Sequence, residues 1–309
     1  MVRVTIKDRD FLSGLLFYAT PLPVLLLGTV FCLGEACLHA RRKFRLFWLM
    51  LMIGIGIQWL WTDWKFSLNS VADASKSSSP SSGEEVSVLF WNVARRQDLS
   101  AAARYLRQKQ PDLVGLVEVQ GDVKTWRAFW REQLPEYDVS ILGGNMYLLT
   151  RGTSGQAIPY DLGGGSIARR MTVNVRNQSY EVLLVDVHAN PLQPRRKALA
   201  TLTQLADSLT EQRLLILGDF NTPEDSVHLR GLRIHHQLAF EAAGRGYAPT
   251  WPIPLPLMQL DQIWTNQNVI PVQCRHSWTW ASDHEPVEAI IRSRFLNPER
   301  PSPTRRLSD

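Results

Sequence analysis

Apolar and polar positions are unevenly distributed along the 309 residues. Phe11 to Gly34 is a run of 24 residues without a charge, rich in Leu and Val. As a helix it measures about 36 Å, enough to cross a hydrocarbon core of about 30 Å with some tilt. Pro21 and Pro23 interrupt it, a break that membrane helices tolerate better than soluble ones. A second uncharged run, Leu46 to Thr62, has 17 residues and ends among Trp59, Trp61 and Trp64, in the manner of an interfacial aromatic belt. Neither run has the polar face of a core helix, and a signal peptide would have a shorter apolar stretch with no second one close behind. The pattern predicts two membrane spans, residues 11–34 and 46–62, with one span plus an interfacial helix as the rival reading.

Charge assigns sides to these runs. His39 to Arg45 holds four Lys or Arg and no acid, whereas Arg3, Lys7 and Arg9 in the N-terminal tail are diluted by Asp8 and Asp10. The positive-inside rule then puts the short loop in the cytoplasm and everything after Thr62 outside it, on an inner or plasma membrane. The expected domains are a membrane anchor over 1–66, a flexible Ser-rich linker over 67–85, an α/β domain over 86–296 and a disordered tail over 297–309.

Beyond the linker, short apolar runs alternate with amphipathic stretches. Val86–Trp91, Leu113–Val119, Val182–Val187 and Leu214–Leu217 read as strands buried on both faces. Ser100–Gln108, Val123–Gln133 and Arg195–Ser208 read as helices, with Asp98 or Ser100 capping the first.

Composition narrows the class without naming a function. Hydrophobic residues at 45% and charged ones at 20% exclude a disordered polymer. Three scattered cysteines exclude a disulfide scaffold and a cysteine-built zinc site. The net charge of +5 suits a phosphate-bearing substrate but is too weak to argue for nucleic acid by itself.

Polar clusters recur at the ends of the apolar strands: Trp91-Asn92, Val117-Glu118-Val119, Val187-His188-Ala189-Asn190, Gly218-Asp219-Phe220-Asn221, Leu260-Asp261-Gln262-Ile263-Trp264 and Ser282-Asp283-His284. Each by itself reads as a turn or a hydrogen-bonded structural group. The ordered set, with Thr250-Trp251-Pro252 ahead of the fifth cluster, resembles the endonuclease/exonuclease/phosphatase superfamily from Val86 to about Arg294. The resemblance implies a four-layer α/β sandwich, two packed mixed sheets flanked by helices, whereas the strand pattern alone would also fit a doubly wound sheet. With the predicted N-terminal transmembrane hairpin, the expected protein is a membrane-anchored phosphoesterase.

The resemblance also implies roles. Glu118 is the primary ligand of Mg²⁺, or of Mn²⁺, with Asn92 holding it or sharing the ion and Asp283 a second metal contact. Asp219 orients or deprotonates the attacking water, and Asn221 hydrogen-bonds the phosphoryl oxygen. Asp261 pairs with His284, which acts as base or phosphate ligand, and His188 binds phosphate or protonates the leaving group. A hard divalent ion suits such carboxylate and amide oxygens. Arg95, Arg96 and Asn190 are candidate substrate contacts; Arg169 and Arg170 read equally as phosphate contacts or as solvated surface. Expected substrates are a lipid head group, a small phosphoester or nucleic acid. A nuclease and a non-catalytic phospho-ligand module stand as the alternatives, and no protein partner is inferable.

Overall fold

The structure, a computed structural model of the chain, describes residues 2–39, 42–65 and 85–294. The linker expected over 67–85 (Glu85 apart) and the tail expected over 297–309 lie outside the described residues.

The first apolar run is two helices rather than one span. Helix α1 (Phe11–Ala19) starts at Asp10, whose carboxylate accepts the Ser13 N–H at 2.9 Å while Ser13 Oγ accepts the Asp10 N–H at 3.1 Å. It stops at Thr20, which leaves helical geometry (φ −124°, ψ 58°) because the ring of Pro21 disfavours a helical residue before it. Helix α2 (Leu22–His39) then pairs with α3 (Arg42–Asp63), so the second run extends beyond 46–62 at both ends. Both α2 and α3 are long and apolar enough, by length and composition, to cross a membrane. Helix α1 keeps Ser13, Gly14 and Phe17 inside and leaves Phe11, Leu12 and Leu16 exposed.

These segments dock on the α/β domain. Strand β1 (Trp64–Lys65) directly follows α3. The domain itself contains β2 (Glu85–Asn92), β3 (Leu113–Val117), β4 (Asp138–Gly143), β5 (Met146–Thr150), β6 (Thr153–Ser154), β7 (Ile158–Gly163) and β8 (Ser166–Val175). It continues with β9 (Gln178–Asp186), β10 (Leu214–Asp219), β11 (His236–Leu238), β12 (Gly246–Tyr247), β13 (Asp261–Asn266), β14 (Val269–His276) and β15 (Val287–Ser293). Strand β1 pairs antiparallel with β12, and Trp64 packs on Tyr247 with ring centroids 5.1 Å apart. On the N-terminal side the Asp8 carboxylate accepts hydrogen bonds from Ser226 Oγ and the Val227 N–H, and Lys7 Nζ donates to the Asp225 carbonyl at 2.6 Å.

Two mixed sheets form the domain. One has the order β14-β15-β2-β3-β5-β4 and the other β11-β13-β10-β9-β8-β6, with β7 also on β8. Helices α4 (Ser100–Lys109) and α5 (Val123–Gln133) cover the outer face of the first sheet, burying Leu106, Trp126 and Trp130 with Leu89, Trp91 and Val114. Helix α6 (Arg196–Asp207) covers the second through Ala198, Leu199 and Leu202. The inner faces meet across Val88, Phe90, Val117, Leu184 and Leu217. Gly115 sets their approach: a Cβ there would lie 2.7 Å from Leu184 Cδ1 and 3.3 Å from Leu217 Cδ1. The architecture is therefore the expected α/β/β/α sandwich, not a doubly wound sheet. Within each sheet a central parallel pair, β2 with β3 and β9 with β10, brings two strand C-termini to the same rim.

Candidate active site

Register places the acids. In the second sheet Asp186 pairs with Asp219 and Asp219 with Asp261, so three aspartates stand side by side on adjacent strands. Side chains alternate along a strand, and Asp186 and Asp219 share the faces of Leu184 and Leu217, the residues packed over Gly115. The row thus projects into the gap between the sheets, at its rim. From the opposite sheet Asn92, 1% exposed, donates from Nδ2 to Asp219 Oδ2 at 2.9 Å and closes the gap. Its Oδ1 accepts the Ala94 N–H at 2.8 Å, which fixes the orientation of the amide.

The last cluster reaches the same point. Ser282 Oγ donates to the Asn92 carbonyl at 2.7 Å and accepts the His284 N–H at 3.1 Å, and Trp91 Nε1 donates to the His284 carbonyl at 2.9 Å. His284 Nδ1 lies 2.8 Å from Asp261 Oδ2, and that oxygen also accepts Thr250 Oγ1 at 2.6 Å. Thr250 therefore holds the carboxylate that holds the histidine. Asn221 accepts nothing from the row but donates its backbone N–H to Asp219 Oδ1 at 2.8 Å and its Nδ2 to the Val187 carbonyl at 2.7 Å. The next residue, His188, accepts the Asn190 N–H on Nδ1 at 3.0 Å, so a neutral imidazole carries its proton on Nε2.

Glu118 follows β3 with a left-handed backbone (φ +58°), which breaks the alternation of the strand. Ala94, Arg95 and Asn221 share that conformation at φ +54°, +55° and +46°. For the three that are not asparagine it is a strained geometry, of the kind that collects at functional sites. Arg95 Nε pairs with Glu118 Oε2 at 3.2 Å.

Electrostatics bind these groups together. Burial, and then the charge of Asp261, pushes the Asp219 carboxyl up to about 8. Burial and the charge of Glu118 raise Asp186 to about 7, against the pull of Arg95 and His284. Burial by itself would lower His284, but the charge and hydrogen bond of Asp261, helped by Asp219 and Asp283, outweigh it and raise the imidazole to about 10. So much confined negative charge favours a cation. Ligating atoms of Asp219, Asp261 and His284 lie within 4.8 Å of one another, and Asp261 Oδ1 and Asp283 Oδ1 are buried without a hydrogen-bond partner. The carboxylate oxygens of this group fit a hard divalent ion such as Mg²⁺ or Mn²⁺, whereas a protonated His284 has no lone pair to give it.

Among the expected residues, Asn92 and Asn221 bond directly to Asp219, and His284 to Asp261, its neighbour in register; His188 follows Val187, whose carbonyl Asn221 holds, and Glu118 acts through the field it shares with Asp186. Asp283 lies beside Trp251, whose Nε1 is 3.4 Å from its Oδ2. Among the candidate substrate contacts, the Asn190 side chain serves its own loop by accepting the Leu192 N–H at 2.9 Å, and Arg96 is exposed. Arg169 and Arg170 are half-buried and engaged within the fold: Arg169 donates to the Leu142 carbonyl and Arg170 pairs with Glu181, each at 2.8 Å. Gln262 is fully buried and bonded to the Thr222 carbonyl at 2.8 Å, a structural role. Sequence reasoning missed Asp186. Its signal was present, as the last residue of an apolar strand two positions before His188.

Comparison with known proteins agrees with this geometry. The model of the endonuclease/exonuclease/phosphatase family matches residues 89–284. An endonuclease/exonuclease/phosphatase from Bacteroides vulgatus is similar in structure, with TM-score 0.59 and 17% identity over 68% of this chain and 100% of that one. D. rerio TDP2 complexed with single-strand DNA product gives 0.56 and 16%, covering 68% of this chain and 100% of that one. The human nocturnin catalytic domain with bound sulfate gives 0.54 and 15%, covering 68% and 95%. No curated protein sequence matches the chain. With the family model spanning well over half its length and the strand ends converging on one rim, the chain belongs to the endonuclease/exonuclease/phosphatase family.

Proposed function

We propose that this protein is a membrane-anchored, divalent-metal-dependent phosphoesterase that hydrolyses a phosphodiester or phosphomonoester by in-line attack of water. Members of the family are metal-dependent phosphoester hydrolases, among them nucleases and phosphodiesterases. The observation that carries the reading is the buried Asp219–Asp261–His284 cluster, tied by Asn92 across the two sheets. Asp219, raised to about 8, is a stronger base than a free carboxylate, and its ionised form takes the proton that water loses on attack. His284, kept cationic by Asp261, takes the charge of the phosphoryl oxygens, with the second N–H of Asn221 beside it. His188 gives its Nε2 proton to the leaving oxygen. Glu118, Asp186 and Asp283 supply carboxylates for the ion, and Asn92 Oδ1 has a second lone pair to share with it. When bound, a divalent ion neutralises phosphoryl charge and favours ionisation of water. The length and composition of α2 and α3 support the anchor, and the basic loop between them supports an extracytoplasmic active site.

A second reading, a nuclease, is favoured by one feature. Trp278 and Trp280 form an exposed edge-to-face pair, centroids 4.5 Å apart, just before Asp283, a surface on which unstacked bases can lie.

The test is hydrolysis by the full-length chain in detergent or nanodiscs of bis-p-nitrophenyl phosphate, DNA and a phospholipid panel, with Mg²⁺, Mn²⁺ or EDTA. The expected result is metal-dependent turnover reduced at least about 10³-fold in Asp219→Ala and His284→Ala. No turnover on any substrate by a folded, metal-binding protein overturns the reading. Preference for DNA, lost in a Trp278→Ala/Trp280→Ala variant, selects the nuclease.

A further inference from the structure

A cavity of about 210 Å³ lies where the N-terminal segment meets the α/β domain, away from the acidic row. Arg9, Phe11 and Tyr18 line one side, and Pro194, Arg196 and His228 the other. Arg195 forms its wall, with the guanidinium 4.5 Å from the centre of the Tyr18 ring. The same guanidinium donates from Nε to the His188 carbonyl at 3.2 Å and from an Nη to the Ala189 carbonyl at 2.9 Å. The cavity wall is thus bonded to the segment that carries a proposed catalytic group.

The charges in the lining are not equivalent. Asp8 and Asp10 border the cavity, but both are consumed within the fold. Asp8 accepts from Ser226, Val227 and Tyr18, and Asp10 caps α1. Arg195 is likewise committed. The side chains of Arg9 and Arg196 are exposed and make no hydrogen bond or ion pair among the described residues. Three arginines against two engaged aspartates leave a cationic lining, and its uncommitted part sits at the mouth.

Both lips of that mouth are apolar on the outside. On α1, Phe11 is 49% exposed, Leu12 71% and Leu16 52%, and Leu192 on the facing loop is 62% exposed. Helix α1 runs through Thr20 and Pro21 directly into α2, so this stripe continues onto an apolar hairpin. Basic groups at the mouth of a pocket whose rim is apolar match the headgroup level of a bilayer, where phosphates and acyl chains meet.

We propose that this cavity seats the phosphate of an anionic phospholipid, held by Arg9 and Arg196 with its acyl chains along the outer face of α1. The inference rests on the membrane-anchored reading but not on the reaction. A seated lipid presses on Tyr18 and Arg195 and so holds the loop bearing His188 in place.

The experiment uses full-length Asp219→Ala protein, so that no lipid is consumed, purified in detergent and examined by native mass spectrometry with phosphatidylglycerol or phosphatidylcholine. Phosphatidylglycerol is expected to stay bound at one equivalent and phosphatidylcholine to be lost. Arg9→Gln/Arg196→Gln is expected to weaken retention at least tenfold, and Arg9→Lys/Arg196→Lys to preserve it, which separates lost charge from lost fold. Glycerol 1-phosphate at millimolar concentration is expected not to compete. Equal retention of both lipids, unchanged retention in the double Gln variant, full competition by glycerol 1-phosphate, or failure of the chain to float with phosphatidylglycerol vesicles overturns the proposal. Lipid retention by the Asp219→Ala chain together with no turnover of any substrate by the unsubstituted chain refutes the phosphoesterase and leaves this site standing.

Discussion

Asp261 shows how one buried carboxylate fixes the state of its neighbours. Its Oδ2 holds His284 at 2.8 Å and Thr250 at 2.6 Å, and its charge raises Asp219. At neutral pH the histidine is therefore protonated, and it loses that proton only as pH rises through about 10. In Asp261→Asn both the charge and the charged hydrogen bond vanish, and burial, which opposes protonation, remains. The His284 ring is then expected to titrate well below 10, with only Asp219 and Asp283 left to oppose burial, as read by its NMR shift in metal-free protein, and activity is expected to fall about 10²- to 10⁴-fold. A titration still near 10 would show that Asp261 does not set the state of His284. The residue types of this site were legible as strand-end clusters, because the chemistry demands acids, amides and histidines in quantity. Asp186 was not, because what marks it is the partner across the sheet, Asp219, and pairing is a tertiary fact.

Elements deliver those residues by their ends and their spacing. The apolar strands β2, β3, β9 and β10 and the helices α4 to α6 were readable within a residue or two of each boundary, except that β9 starts at Gln178 rather than Val182, since continuous burial leaves continuous apolar runs. The segment Asp138–Val175 was not readable as β4 to β8. Of these, β4, β6, β7 and β8 lie toward the edges of the sheets, where one face is partly solvated and the apolar signal is diluted, whereas β5 is buried throughout and is only five residues long. Gly115 lies in the middle of a legible strand, yet its importance comes from the second sheet. Gly115→Ala places a methyl group 2.7 Å from Leu184 Cδ1 and 3.3 Å from Leu217 Cδ1, so these side chains must repack or the sheets part, at a cost of about 1–3 kcal/mol. The rim residues sit on both sheets, so the variant is expected to lose activity at temperatures where it remains folded. Thermal unfolding with a parallel assay checks this, and an unchanged melting temperature would mean that the gap accommodates the methyl.

For the whole molecule, the docked N-terminal segment matters most. Asp8, 4% exposed, is bonded to Ser226 and Val227, and β1 extends into the domain at β12, so the N-terminal helices are fixed to the α/β domain at both ends. Asp8→Ala leaves the Val227 N–H and the Ser226 hydroxyl without their acceptor and is expected to free residues 2–19. Hydrogen exchange there should rise at least about tenfold, corresponding to about 1.4 kcal/mol, while the sheets stay protected. Protection unchanged over residues 2–19 would show that β1 and the ring contacts suffice.

By itself the sequence determined the apolar helices, the buried strands, the family and the types of residue in the site, because burial and chemistry write themselves into composition and local order. Only the tertiary structure decided that the first apolar run breaks into a docked helix and a longer one, that three aspartates stand in register, and that the N-terminal segment shares a cavity with the active-site domain. Those depend on which surfaces meet, and no local pattern of polar and apolar positions encodes the partner on the other side.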